Sequence, residues 1–99
     1  MGDPAGVGPE VICKAIAALP AEEREGIVVI GDQETLLRAA GVCGVTPEVL
    51  ASVSIEDVTT PGVPLPFGKL DKAGGEACFR YIKRAVDMAQ ANEIGCIVT

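Results

Sequence analysis

Gly2-Asp3-Pro4-Ala5-Gly6-Val7-Gly8-Pro9-Glu10 gathers three glycines and two prolines into nine positions, the densest run of backbone-defining residues in the chain. Glycine reaches positive φ and lets a ligand or another backbone come close, so Gly6 and Gly8 are the positions expected to do both. Pro9 presets φ for the first helical position and lacks only a donor that would be unpaired there anyway. The turn therefore hands over to a helix predicted from Pro9 to about Leu19, where Pro20 disrupts it. Val11, Ile12, Ala15, Ile16 and Leu19 give that helix an apolar face, and Glu10 occupies its first turn at the positive end of the macrodipole. A glycine-rich turn opening a helix presents free N–H groups suited to an anion such as phosphate, although Glu10 would repel one that came too close.

On spacing alone this run is neither the G-x-G-x-x-G dinucleotide fingerprint nor the G-x-x-x-x-G-K-[ST] phosphate loop. It is equally the spacing of a tight strand-to-helix connection that binds nothing.

Outward from the turn, Glu22-Glu23-Arg24-Glu25 reads as a solvated loop. Ile27-Val28-Val29-Ile30, β-branched throughout and set between Gly26 and Gly31, predicts an interior parallel strand covered on both faces. Asp32 is expected to cap a helix through Ala40 with Gly41 as its left-handed terminator. An acid at the end of such a strand also suits the ribose hydroxyls of a nucleotide, but a cap needs no ligand to explain it. Thr46-Pro47-Glu48 can start a further helical turn through Leu50, and Val53 to Val58 gives a second strand. Thr59 to Gly68, with Pro61, Pro64, Pro66, Gly62 and Gly68, holds too many breakers for a regular element.

From Asp71, the expected N-cap, Ala73, Ala77, Cys78, Tyr81, Ile82, Ala85, Val86 and Ala89 recur at helical steps opposite a charged face. Tyr81 lies on that stripe and reads as core, and Glu76 and Arg80 stand one turn apart and can pair. Ile94-Gly95-Cys96-Ile97-Val98-Thr99 predicts a last strand. Helices alternating with strands place the chain in the α/β class with a largely parallel sheet. Residues 1–99 read as a partial domain, cut at both ends from a larger α/β protein.

Ninety-nine residues, 48% hydrophobic and 22% charged, fit one small globular domain. A net charge of −6 with eight Lys plus Arg lacks the basic footprint that nucleic acid or an anionic membrane requires, so neither partner is expected. No run approaches the ~18 apolar residues of a membrane span and no secretory leader is evident, so a cytoplasmic location is expected. Cys13, Cys43, Cys78 and Cys96 have apolar or small neighbours and form no C-x-x-C pair, which predicts buried reduced thiols. The absence of histidine excludes imidazole acid–base chemistry and the usual nitrogen ligands of zinc within these residues.

The opening GDPAGVGPEV resembles that of the 4-hydroxythreonine-4-phosphate dehydrogenase family and, more remotely, the Gly-Asp-Gly-Ile-Gly-Pro-Glu loop of isopropylmalate and isocitrate dehydrogenases. Gly68-Lys69-Leu70, Gly74 or Gly75, Tyr81-Ile82, Arg84-Ala85-Val86, Glu93-Ile94 and Ile97-Val98-Thr99 are similar to the segment before that family's Thr-x-Pro-x-x-Lys motif, of which only Thr99 is present. The resemblance implies the N-terminal part of a three-layer α/β/α fold like that of isocitrate and isopropylmalate dehydrogenases. It implies an NAD-dependent oxidation and decarboxylation of 4-phosphohydroxy-L-threonine on the route to pyridoxal phosphate. A divalent metal such as zinc, held by histidines outside this stretch, and a homodimer are implied as well. Carried onto this chain, the family loop makes Asp3 and Glu10 positioning groups and Gly6 and Gly8 close-approach backbone at the cofactor, with no catalytic or metal-binding residue among the 99. Two other readings stay open: a relative oxidising threonate or erythronate 4-phosphate, and a non-catalytic α/β module that keeps the loop for anion binding or assembly.

Overall fold

The computed structural model describes residues 1–99. Its elements run α1 (Gly8–Ala18), α2 (Ala21–Arg24), β1 (Val28–Gly31), α3 (Gln33–Cys43), α4 (Pro47–Ala51), β2 (Ser54–Asp57) and α5 (Lys72–Gln90). β1 and β2 pair in parallel, with Val28 opposite Ser54 and Gly31 opposite Asp57, and α3 and α4 form the crossover between them. The α/β class read from the sequence therefore holds, with a sheet of two strands.

Side chains alternate across a strand, and β1 uses both faces. Val29 joins Cys13 and Ile16 of α1, Leu36, Ala39 and Ala40 of α3, Leu50 of α4 and Val53 in the central core. Val28 and Ile30 turn the other way, toward a cavity they share with Tyr81, Ile82, Ala85 and Val86 of α5. Helices thus stand on both faces of the pair, but the α5 side is thinly covered and Val28 remains exposed. The interior strand expected at Ile27–Ile30 has a neighbour on one edge only.

Local chemistry sets the helix ends. The Asp32 carboxylate accepts from the backbone N–H of Thr35 at 2.8 Å, and Asp71 accepts from Ala73 N–H at 2.8 Å, so both caps form as expected. α1 begins one residue before Pro9, with Val7 as an N-cap that offers no side-chain acceptor. Arg24 donates to the carbonyls of Leu19 and Ala17, placing a cation at the carboxyl end of α1. That contact explains why the acidic segment expected to be a loop forms the single turn α2.

Three further expectations are corrected. Gly41 does not end α3: packing of Ala39 and Ala40 carries the helix on to Cys43, and Gly44, at φ 70°, terminates it. Ile94–Thr99 forms no strand, because no neighbouring strand offers it a ladder. All four thiols are free, but only Cys13 is buried outright, while Cys96 is exposed on that unpaired segment.

Candidate ligand-binding loop

The loop Gly2–Glu10 starts beside the carboxyl end of β1, where the Met1 amino group donates to the Ile30 carbonyl at 2.9 Å and the Met1 side chain lies against Gly31. Asp3 folds it: its Oδ1 accepts from Ala5 N–H at 2.8 Å, and its carbonyl accepts from Gly6 N–H at 3.0 Å. Pro4, Ala5 and Pro9 are buried, while Asp3, Gly6, Gly8 and Glu10 are half-exposed and Gly2 and Val7 face solvent.

Among the glycines, positive φ falls on Gly2, Gly44, Gly62 and Gly68, and on neither Gly6 nor Gly8. Gly8 is instead a close-approach position, since a Cβ there would overlap the Met1 carbonyl oxygen. The approaching backbone is the chain's own. A second tight approach joins the loop to α5, where a Cβ on Gly74 would come within 2.6 Å of Asp3 Oδ1. The Asp3 carboxylate is therefore turned inward, against the first turn of α5, where an anion is favoured. Glu10 lies in the first turn of α1 and its carbonyl faces the Cys43 thiol. Gly6 has no contact closer than 3.4 Å at its missing side chain.

Around this loop the other strand-end segments converge. Gly68 N–H donates to the Ala5 carbonyl at 2.7 Å, tying the proline-rich segment 59–68 to the loop. Arg38 donates to the Leu65 carbonyl and stacks over the Phe67 ring, 4.1 Å from its centre. Arg80 holds the same segment through the Thr59 carbonyl at 3.2 Å. Asp57 accepts from Gln33 N–H at 2.9 Å, linking the end of β2 to the start of α3. The acid at the end of β1 that suited a ribose is occupied: Asp32 Oδ2 also accepts from the Thr35 hydroxyl at 2.6 Å.

Two buried hydroxyls, those of Thr60 and Tyr81, have no hydrogen-bond partner. Burial first, then the negative charges of Asp32, Cys78, Asp57 and Asp3, push the Tyr81 phenol far above its ordinary value, so it stays protonated. An unpaired buried donor is costly and marks a place where a ligand or a further part of the fold can supply an acceptor. Tyr81 was correctly placed in the core by its helical spacing; its orphan hydroxyl and the Arg38–Phe67 stack had no signal in the sequence. The proline-rich composition of 59–68 was the only hint that this segment belonged to the site.

The residues present do not fit a metal centre: there is no histidine, and no three Cys, Asp or Glu side chains converge. The amino end of α1 carries no side-chain cap, and Gly6 beside it is in ordinary contact with Asp3 of the same loop.

No protein-family model matches the chain. Among curated proteins it is 36% identical, over its whole length, to a D-threonate 4-phosphate dehydrogenase from Cupriavidus necator, of which it covers 33%. It is 31% identical over its whole length to a Clostridium botulinum protein provisionally given the same name, of which it covers 34%. A crystal structure of a 4-hydroxythreonine-4-phosphate dehydrogenase from Burkholderia phymatum superposes on 95% of the chain with a TM-score of 0.79 and 35% identity, using 32% of that protein. The chain thus spans about a third of the length of these relatives.

Proposed function

Kinship with the 4-hydroxythreonine-4-phosphate dehydrogenase family is the premise from which we propose that these residues form one wall of the cleft of an NAD-dependent dehydrogenase. Its substrate is a four-carbon acid with a hydroxyl on C3 and a phosphate on C4, so that oxidation places a carbonyl β to the carboxylate. The observation that carries this reading is the start of GDPAGVGPE beside the carboxyl end of β1, where Met1 meets Ile30 and Gly31, the side of an open α/β sheet where ligands bind. The finer fold assignment, a three-layer sheet like that of isocitrate and isopropylmalate dehydrogenases, belongs to the same proposal, as do the homodimer and the cytoplasmic location. No helix here is long and apolar enough to cross a membrane.

In this reading the loop's contribution is positional. Asp3 holds the turn closed from within, Gly6 leaves room for the cofactor, Gly8 lets the chain double back on Met1, and Glu10 sets the charge at the helix end. NAD, when bound, takes a hydride from the substrate carbinol. A divalent metal such as zinc would be held by residues outside these 99, so nothing in this chain acts through one. Two substrates fit the proposal, 4-phosphohydroxy-L-threonine on the route to pyridoxal phosphate and threonate or erythronate 4-phosphate. The names of the curated relatives favour the second and that of the solved structure the first.

The polypeptide as its gene encodes it, supplied with NAD, a divalent metal and each phosphorylated acid in turn, is expected to reduce NAD with one of them. Absence of turnover with both would leave the non-catalytic module as the surviving reading. Gly6→Val is the companion test, because position 6 has no left-handed φ and its nearest neighbour, Asp3 of the same loop, lies at ordinary van der Waals distance. Turnover is expected to fall at least about tenfold, equivalent to ~1.4 kcal/mol, while the melting temperature holds. Parallel losses of both would make the loop structural only.

A further inference from the structure

The irregular segment 59–68 makes a single backbone hydrogen bond within itself, from Val63 N–H to the Thr60 carbonyl at 3.1 Å, so its shape is set from outside. Arg80 of α5 holds its first carbonyl, and its last N–H, that of Gly68, is spent on the Ala5 carbonyl of the opening loop. Arg38 of α3 supplies the hold between them. It donates to the Leu65 carbonyl while its guanidinium lies over the Phe67 ring. Doing both at once takes a flat cation with several donors, whereas a lysine ammonium is a point charge.

Leu65 to Gly68 is four residues, and each is constrained. Leu65 is buried, Pro66 has its φ locked by its ring, Phe67 packs against the central core beneath Arg38, and Gly68 sits at φ 79°. The three steps from Leu65 to Gly68 span at most about 11 Å of chain. So short and stiff a link passes a displacement on instead of absorbing it. It ends on Ala5, a buried residue whose N–H is bonded to Asp3 and whose carbonyl accepts from Gly68. The next residue is Gly6.

We propose that Arg38 is a positioning residue for the ligand-binding loop: through Leu65–Gly68 it sets where Ala5 and Gly6 stand, and so how the loop receives the nicotinamide cofactor. The role rests on the reading that this loop borders the cleft of an NAD-dependent dehydrogenase. Its hold on the loop is indirect. Arg38 lies on the exposed side of α3, where contacts weigh little in the stability of the whole chain, so their loss should show at the loop and not in the melting temperature.

The test compares Arg38→Met and Arg38→Lys with the unsubstituted polypeptide, each as its gene encodes the rest. Met keeps an unbranched apolar stem, and Lys restores the charge with a different head. In Arg38→Met the Gly68 amide is expected to exchange about tenfold faster or more, while the amides of Leu36, Ala39 and Ala40 in α3 keep their rates. KM for NAD is expected to rise about tenfold with kcat changed less than about threefold, since no group at the reacting atoms is lost. Arg38→Lys is expected to fall between Arg38→Met and the unsubstituted protein on both counts. A Gly68 rate that stays unchanged, or that rises together with those of α3, would overturn the proposal. So would an unchanged KM in a variant whose Gly68 amide has loosened, or a fall in kcat at constant KM. Gly68 exchange is read without substrate: if no phosphorylated acid is turned over, the dehydrogenase reading fails, and the exchange rates still decide whether Arg38 governs the loop.

Discussion

Gly8 and Gly41 show how differently one residue type behaves at two places in the chain. A methyl group at Gly8 would overlap the Met1 carbonyl oxygen, and Met1 is held in place by the hydrogen bond from its amino group to Ile30. Gly8→Ala is therefore expected to destabilise by about 1–3 kcal/mol, the cost of overpacking a fitted site. Gly41 lies inside α3 with nothing near its missing side chain. Gly41→Ala is expected to stabilise by roughly 0.5–1 kcal/mol, through helix propensity and lost unfolded-state freedom. Chemical denaturation of the two variants side by side checks the pair, and equal effects in the same direction would refute the close approach at Gly8. The thiols give a pH dependence at the same scale. Burial raises Cys13 and Cys78 above the ordinary thiol value, with neighbouring Cys43 and Asp3 adding to the two respectively. A folded pKa raised above the unfolded one contributes stability that is full below the unfolded value, about 8.5, and is lost as pH rises through the folded one. Thermal melts at pH 7 and pH 10 are expected to show that loss, and a Cys13→Ala, Cys78→Ala variant to show a smaller one.

Among the elements, the two aspartate N-caps were legible in the sequence and the end of α3 was not. Asp32 and Asp71 act on amide groups two or three residues away, which local chemistry alone decides. Asp32→Ala should cost about 0.5–2 kcal/mol, and the Thr35 hydroxyl, orphaned with it, places the loss at the upper end. Gly44 rather than Gly41 closes α3 because the buried faces of Ala39 and Ala40 prolong the helix, a tertiary effect that a terminator residue cannot announce. The segment Ile94–Thr99 has the composition of a strand and lacks one, since a strand exists only with a neighbour. The candidate site divides the same way. GDPAGVGPE declared itself as a turn opening a helix, but the destination of Asp3 against Gly74 and of Gly8 against Met1 depends on segments that meet only in the folded molecule. Arg38 on Phe67 joins α3 to an irregular segment and leaves no periodic trace.

At the scale of the whole molecule the two faces of the sheet are unequally built. On one, Leu36, Ala39, Leu50 and Cys13 are almost wholly buried among α1, α3 and α4. On the other, α5 rests on Tyr81, Ala85 and Met88, beside the open cavity, and is tied to β2 by Arg84 and Glu56 at 2.8 Å on the surface. Exposed ion pairs contribute little, so Arg84→Ala is expected to leave the melting temperature almost unchanged. Leu36→Ala, which opens a void in the closed face, is expected to cost roughly 2–5 kcal/mol. The asymmetry predicts the order of opening. In residues 1–99 alone, amides of α5 should exchange through a local opening that leaves α3 protected, because α5 gives up fewer buried contacts on leaving the sheet. Amide exchange read residue by residue decides the matter: α5 as slow as α3 would mean that the open face is already complete.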